Sequence, residues 1–266
     1  MHTVGVIGLG IVGSAVRNGM DSTYTVETYD ISKPSTCLSI ADLCARTEVL
    51  FVCVPTPMTP DSGAADLKAI YNVVAQVASV ATDHVVAIKS TVPPGTTDSL
   101  NAKFGSKSLS VVFQPEFLTE ANASEDFIRQ SHIIIGGAPA AADRIAATYE
   151  LAFPKAPILR TSATVAEMIK YTANCFLMTK VLFANEMYQI CGALGVQWDE
   201  IVRYAMMDSR LGTTHWRVPG PDGKFGAGGS CFPKDIRALI HRARELEVDP
   251  QLLQAVWDKN DQVRQK

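Results

Sequence analysis

Cys231 stands in the run GGSCFPKD, residues 228–235, behind two glycines and four residues ahead of Asp235. A thiol attacks as its thiolate, and a helix N-terminus or a nearby cation favours that form. Lys234 and Asp235 open a predicted helix over 234–246, so Cys231 is expected to have a lowered pKa. Cys37, Cys44, Cys53, Cys175 and Cys191 read instead as inert packed thiols. Gly226, Gly228 and Gly229 let backbone lie against a ligand, and the run through Ser230 could aim N–H groups at a phosphate or a developing oxyanion.

Two other pairs have helical spacing. Lys170 and Asn174 are four apart among Met168, Ile169, Cys175, Phe176 and Leu177, so they project together. Two readings stand at this point: a lysine that snorkels its charge off an apolar face, or an ammonium and an amide that stabilise an oxyanion as a hydroxyl is oxidised. Glu116 and Glu120, in QPEFLTEANA, would share a face if that segment turns helically. They are either a pair that orients water and moves protons or solvated surface.

At the other end, GLGIVG supplies Gly8, Gly10 and Gly13, with Ile11 and Val12 between them, after a predicted strand and at the start of a helix. That context distinguishes a dinucleotide fingerprint from a chance match. The three glycines serve the tight turn, backbone approach to a pyrophosphate and close helix–strand packing, and the helix N-terminus faces the phosphates. Asp30 ends the second predicted strand, near the offset at which a carboxylate meets adenosine ribose hydroxyls, which favours NAD over NADP; Lys33 follows three residues later. CVPTP (53–57) and KSTVPPGTT (89–97) each follow a strand, which places Val54, Pro55, Thr56, Ser90 and Thr91 to line the crevice at the carboxyl ends of the sheet. Taken alone, Pro55 and Pro57 read as ordinary turn chemistry.

Strands are predicted at 3–8, 24–30, 49–54, 84–90, 109–113 and 132–137, alternating with helices such as 66–80 and 139–151. Several of these strands are continuous apolar runs, the mark of a parallel sheet covered on both faces. After residue 162 the pattern becomes one long helix, then helices near 198–207, 234–246 and 250–266 around a glycine-rich stretch at 220–230. The expected fold class is α/β: a Rossmann-like, mostly parallel sheet over 1–162, followed by an all-helical domain over 163–266. A formal net charge of -3 offers no electrostatic reason to expect nucleic acid or an anionic membrane surface as partner. The N-terminus reads as neither signal nor anchor. Six cysteines without a CxxC pair point to free thiols in a reducing, cytoplasmic compartment, and no spacing suggests a metal site.

Taken in order, GLGIVG, STVPPGTT, QPEFLTEANA, EMIKYTANCFLMTKVLFANE, DSRLG and GAGGSCFPKD resemble the UDP-glucose/GDP-mannose dehydrogenase family over nearly the whole chain. The resemblance implies oxidation of a nucleotide-sugar C6 alcohol to the carboxylate with two NAD, through an enzyme-bound thioester on Cys231. It implies that Lys170 and Asn174 stabilise the oxygen, that Asp235 works with Lys170 in proton transfer and water activation, that Thr91 positions the water, and that Glu120 acts as a base. Glu116, Phe117, Leu118, Phe225, Gly226 and Gly229 would contact the substrate, and Arg210 would reach the sugar across a homodimer interface built on the helical domain. Family members continue into a third α/β domain that closes over the nucleotide; this sequence stops at Lys266, which reads as a fragment, as a natural short form, or as a chain whose nucleotide is held by another, and its loop at PGPDGKFGAGGSC is longer. Two other readings stay open: a two-electron β-hydroxyacid dehydrogenase, which has no need of Cys231, and a NAD-binding module without turnover.

Overall fold

A computed structural model of the chain describes residues 2–265. These divide into two compact units, one of residues through 57 and 65–170, the other of 58–64 and 171 onward.

The first unit is a seven-stranded sheet in the order β2-β1-β3-β4-β5-β6-β7. Its strands are β1 (Thr3–Ile7), β2 (Thr25–Tyr29), β3 (Val49–Val52), β4 (His84–Ile88), β5 (Leu109–Phe113), β6 (Ile133–Gly136) and β7 (Ile158–Thr161). The first five pair in parallel. β6 meets β5 antiparallel and carries β7 parallel to itself.

Strand side chains alternate between two buried cores. Val4, Val6, Phe51, Val85, Ala87 and Val112 face one, under α1 (Ile11–Met20), α5 (Ala123–Ile128) and α6 (Pro139–Ala152). Ile7, Leu50, Val52, Val86, Ile88 and Val111 face the other, under α2 (Ile40–Arg46), α3 (Lys68–Val80) and α4 (Thr96–Phe104). With both faces covered, the strands need no polar side, which is why they read as apolar runs.

The 32-residue helix α7 (Ala163–Leu194) gives its first turns, through Lys170, to the first unit and the rest to the second. The second unit adds α8 (Trp198–Ala205), α9 (Phe232–Glu245) and α10 (Gln251–Arg264). Its core gathers Ala184, Cys191, Trp198 and Val218 with Tyr188, Trp216 and Phe225. α9 starts two residues before the predicted Lys234, because Pro233 suits the first helical turn, where no N–H is needed. Cys231 is therefore the N-cap residue itself.

Candidate active site

In the first unit the site is built on the carboxyl ends of β1 to β5. Gly8 has φ +90, and a Cβ there would lie 2.8 Å from the Cys53 carbonyl oxygen. A Cβ on Gly13 would fall 1.8 Å from the Gly8 oxygen, whereas one on Gly10 would meet nothing within 4 Å. Gly8 and Gly13 therefore hold the turn closed, and the space before Gly10 stays open at the N-terminus of α1, where first-turn N–H groups of Ile11, Val12 and Gly13 have no partner within the helix. Gly10→Ala is accordingly expected to leave the urea midpoint within about 1 kcal/mol of parent while weakening NAD binding at least about tenfold. Gly13→Ala should cost about 3 kcal/mol or more of stability, both read by titration of the purified chain.

Asp30 follows β2 and accepts from the Leu9 N–H (2.6 Å) through one carboxylate oxygen, and from the Ser32 N–H, the Ser32 hydroxyl and the Lys33 N–H through the other. Burial alone would raise its pKa, but these hydrogen bonds outweigh burial and hold it below the ordinary value. The Lys33 ammonium donates to the Leu9 carbonyl at 2.5 Å and so lies beside the glycine turn.

The two loops expected at the crevice are tied to each other. Thr56 Oγ1 donates to the Thr91 carbonyl at 2.9 Å, and Ser90 Oγ donates to the Val54 carbonyl at 2.6 Å. Pro55 is exposed; Val54 and Thr91 are half-buried. Past Thr91, α4 has Gly95 as its N-cap, without a side-chain cap of its own. The buried Glu167 of α7 supplies it, accepting from the Gly95 N–H at 2.6 Å and the Thr97 N–H at 2.8 Å. Burial pushes the Glu167 carboxyl up, opposed by these same hydrogen bonds.

Lys170 does not snorkel. It is 4% exposed, and its ammonium donates to the Glu116 carbonyl at 2.6 Å and pairs with the Glu116 carboxylate at 3.1 Å, 5.4 Å from the Phe117 ring centre. The other Glu116 oxygen accepts from the Leu118 N–H at 2.7 Å. The shared helical face considered for Glu116 and Glu120 does not form: residues 114–119 have no regular structure, and the exposed Glu120 opens a separate 3-10 turn over 120–122. Pro115 and the Glu116 hydrogen bond to Leu118 hold the chain in a tight non-helical path there.

Beside this pair lies a buried lysine that no motif spacing marks. Lys89, at the end of β4, donates to Gln114 Oε1 and, at 3.4 Å, to the Tyr149 hydroxyl, while Tyr149 donates to Gln114 at 2.7 Å. Gln114 Nε2 in turn donates to the Pro115 carbonyl at 2.9 Å, which sets the path of the chain into Glu116. With Glu116, Phe127 and His132, Lys89 lines a cavity of about 250 Å³. Burial pulls the Lys89 ammonium down to about 8, and burial pushes the neighbouring Cys53 thiol up to about 12.

For a base depressed on folding, the unfolded chain holds the extra proton between the folded pKa near 8 and the ordinary 10.5. Stability is then expected to rise with pH across that window, by up to about 3 kcal/mol. Urea midpoints of the parent and Lys89→Met proteins should show that rise in the parent alone.

In the second unit, the half-buried Cys231 occupies the N-cap position of α9, with Ser230 Oγ 3.7 Å from its sulfur. One turn on, the Asp235 N–H donates to the Cys231 carbonyl. The Asp235 carboxylate is 1% exposed; it accepts from Asn174 Nδ2 at 2.6 Å and pairs with the Lys234 ammonium. The structure thus brings together Asn174 and Asp235, which lie 61 residues apart. Burial, reinforced by Asp235, pushes Cys175 up to about 12, a packed thiol beside the site.

The glycine-rich loop departs from expectation in one respect. The N–H groups of Gly226 and Ala227 point inward to Asn185 and Asn260, so they are not aimed at a ligand. Phe225 packs on Tyr188 at 5.7 Å, and Gly229 is exposed. Arg210 is exposed and forked onto the Asp208 carboxylate. Asn185, Asn260, Glu167 and Lys89 carry no signal in spacing, although a lysine at the end of the wholly buried run HVVAI could have marked Lys89.

A Rossmann-type unit with an open glycine turn is the architecture of a dinucleotide-binding domain, and the helical unit carries a cysteine at a helix N-cap position one turn from a buried carboxylate. Residues 35–152 match the NAD binding domain, and 164–262 the central domain, of the UDP-glucose/GDP-mannose dehydrogenase family. The chain is 37% identical over 254 residues to UDP-glucose 6-dehydrogenase of Pseudomonas aeruginosa, covering 89% of this chain and 53% of that protein. It is 36% identical over 222 residues to the enzyme of the same name from Rickettsia felis, covering 82% of this chain and 48% of that protein. A solved UDP-glucose dehydrogenase from Pyrobaculum islandicum superposes with a TM-score of 0.89 at 31% identity, over 98% of this chain and 68% of that one.

The chain belongs to the UDP-glucose/GDP-mannose dehydrogenase family, and it spans about half the length of the curated relatives it matches. NAD is the cofactor this family's first domain implies, and the residues present fit it: the space before Gly10 would admit a pyrophosphate, and Asp30 holds an ionised carboxylate at the end of β2. Among the described residues, no helix is long and apolar enough to cross a membrane, and no group of three or more His, Cys, Asp or Glu could hold a metal ion.

Proposed function

We propose that the chain oxidises the C6 alcohol of a nucleotide sugar, of the UDP-glucose kind, to the carboxylate through a thioester on Cys231. The observation that carries this reading is a reduced cysteine at the N-cap of α9, one helical turn from a buried carboxylate held by Asn174 and Lys234. NAD, when bound, supplies the two-electron acceptor for each oxidation.

The chain's own residues do the rest. The Lys170 ammonium, already fixed by Glu116, and the Asn174 amide are suited to stabilise negative charge on the reacting oxygen. The Cys231 thiolate adds to the C6 aldehyde carbon, forming a C–S bond, and the oxygen takes a proton to give a thiohemiacetal. Loss of two electrons and two protons, as the hydride from carbon and the proton from the hydroxyl, leaves the thioester. Water then breaks the C–S bond, releasing the carboxylate and returning the thiol; Asp235 and Lys170 are the groups we assign to moving protons, with Thr91 positioning the water and Glu120 as a further base.

We further propose a cytoplasmic homodimer built on the second unit, where α7 leaves Phe176, Phe183 and Ile190 exposed at seven-residue intervals. In it, Arg210 would leave Asp208 for the partner's substrate. Sedimentation as a monomer at all concentrations would sink that part.

An NADH-formation screen with UDP-glucose, a UDP-N-acetylhexosamine and GDP-mannose tests the function. Two NADH per sugar acid are expected. One NADH with a stable aldehyde or ketone, or NAD binding without any turnover, would overturn the thioester reading.

A further inference from the structure

We propose that Asn185 and Asn260 are positioning residues for the Cys231 thiol, with Arg264 completing the clamp; this rests on the reading of Cys231 as the nucleophile. Two consecutive backbone N–H groups of the glycine-rich loop are held from two different helices. Gly226 donates to Asn185 Oδ1 at 2.9 Å, and Ala227 donates to Asn260 Oδ1 at 2.7 Å. Both asparagines are buried, 1% and 3% exposed. Asn185 is itself oriented, its Nδ2 donating to the Val181 carbonyl at 2.8 Å. The Arg264 guanidinium donates to the Phe225 carbonyl at 3.1 Å and to the Asp222 carboxylate at 2.7 Å, closing the outer side of the loop.

The loop accepts this grip because residue 226 is glycine. Its φ of +72 is costly for other residues, and a Cβ there would stand 2.6 Å from Asn260 Oδ1. Beyond Ala227 only Gly228, Gly229 and Ser230 precede the thiol, and two of these have no side chain to pin the backbone. The clamp therefore fixes the point from which the chain enters α9. From the other side, the Asp235 N–H on the Cys231 carbonyl and the Asn174 hydrogen bond to Asp235 fix the helix end. Cys231 sits at the junction, and the direction of its sulfur relative to the N-terminus of α9 depends on both anchors.

The test reads the thiol directly and needs neither sugar nor NAD. Purified full chains carrying Asn260→Ala, Asn260→Asp or Arg264→Gln are alkylated with iodoacetamide from about pH 6 to pH 9. Peptide mass spectrometry follows Cys231, and the five buried cysteines report folding. Asn260→Ala is expected to slow Cys231 labelling at neutral pH at least about fivefold and to move its pH midpoint upward. Asn260→Asp, which keeps an acceptor oxygen, should stay within about twofold of parent, and Arg264→Gln should slow labelling about twofold.

If Asn260→Ala exposes the other five cysteines, it has unfolded and Arg264→Gln decides. Unchanged rates and midpoints in the folded variants, or an Asp variant as impaired as Ala, would overturn the proposal. A Cys231→Ser chain that still makes sugar acid would instead sink the thioester reading and leave the labelling result standing.

Discussion

Cys231→Ser is expected to stop the reaction at the aldehyde, with NADH falling from two to one per sugar and acid formation dropping by about a thousandfold or more. Oxidising the alcohol requires only an acceptor and a group to take the hydroxyl proton. The aldehyde carbon has no such route: a further oxidation needs a tetrahedral adduct with an oxygen and a hydrogen on the same carbon. Sulfur at the N-cap of α9 can form it, because the thiolate is a strong nucleophile near neutral pH and the helix terminus favours its negative charge. A serine hydroxyl at the same place ionises far less readily. Its structural cost is small, since Cys231 is only half-buried and gives α9 no side-chain cap hydrogen bond. Urea midpoints within about 1 kcal/mol of parent should accompany the loss. Acid formed at the parental rate by Cys231→Ser would mean that water, rather than sulfur, makes the adduct.

Much of the first unit was legible in the sequence because a sheet covered on both faces must be apolar on both faces. β3 and β6 appear as continuous apolar runs and β1, β4 and β5 nearly so, and the glycine turn lies where strand gives way to helix. β7 escaped because ILRT is a short edge strand with Leu159 and Arg160 exposed, so no apolar run marks it. The antiparallel meeting of β5 and β6 escaped because strand direction is decided by the connection through α5, and composition carries no record of it.

Site residues divide in the same way. Cys231, Lys170, Asn174 and Asp235 stand out by type and neighbours, but their partners are chosen by topology. Lys170 finds Glu116 54 residues away and Asn174 finds Asp235 61 away, distances over which spacing predicts nothing. Glu167, Asn185 and Asn260 look like ordinary helix residues until a loop delivers backbone N–H groups to their oxygens. Glu116 and Glu120 show the opposite failure, a helical spacing in a segment whose proline and backbone hydrogen bonding keep it from being a helix.

Lys170→Met should combine a large loss of stability with a large loss of turnover, and the two can be separated. Lys170 and Glu116 form a buried pair with side chains 5% and 10% exposed. Removing the ammonium leaves the Glu116 carboxylate without its opposite charge, a change that costs about 3–5 kcal/mol. The Glu116 carbonyl loses a donor as well. Replacing both partners, as Lys170→Met with Glu116→Gln, removes the stranded charge and should recover most of that stability, because a neutral amide can still accept from the Leu118 N–H. Turnover should not recover with it. If the ammonium stabilises the reacting oxygen, its absence costs about a hundredfold to a thousandfold in kcat whether or not the protein is stable. Urea midpoints and kcat measured on the single and double variants decide between the roles. A double variant that regains both stability and kcat would reduce Lys170 to a structural counter-ion for Glu116, and the oxyanion would then fall to Asn174, whose amide is already oriented by the carboxylate of Asp235.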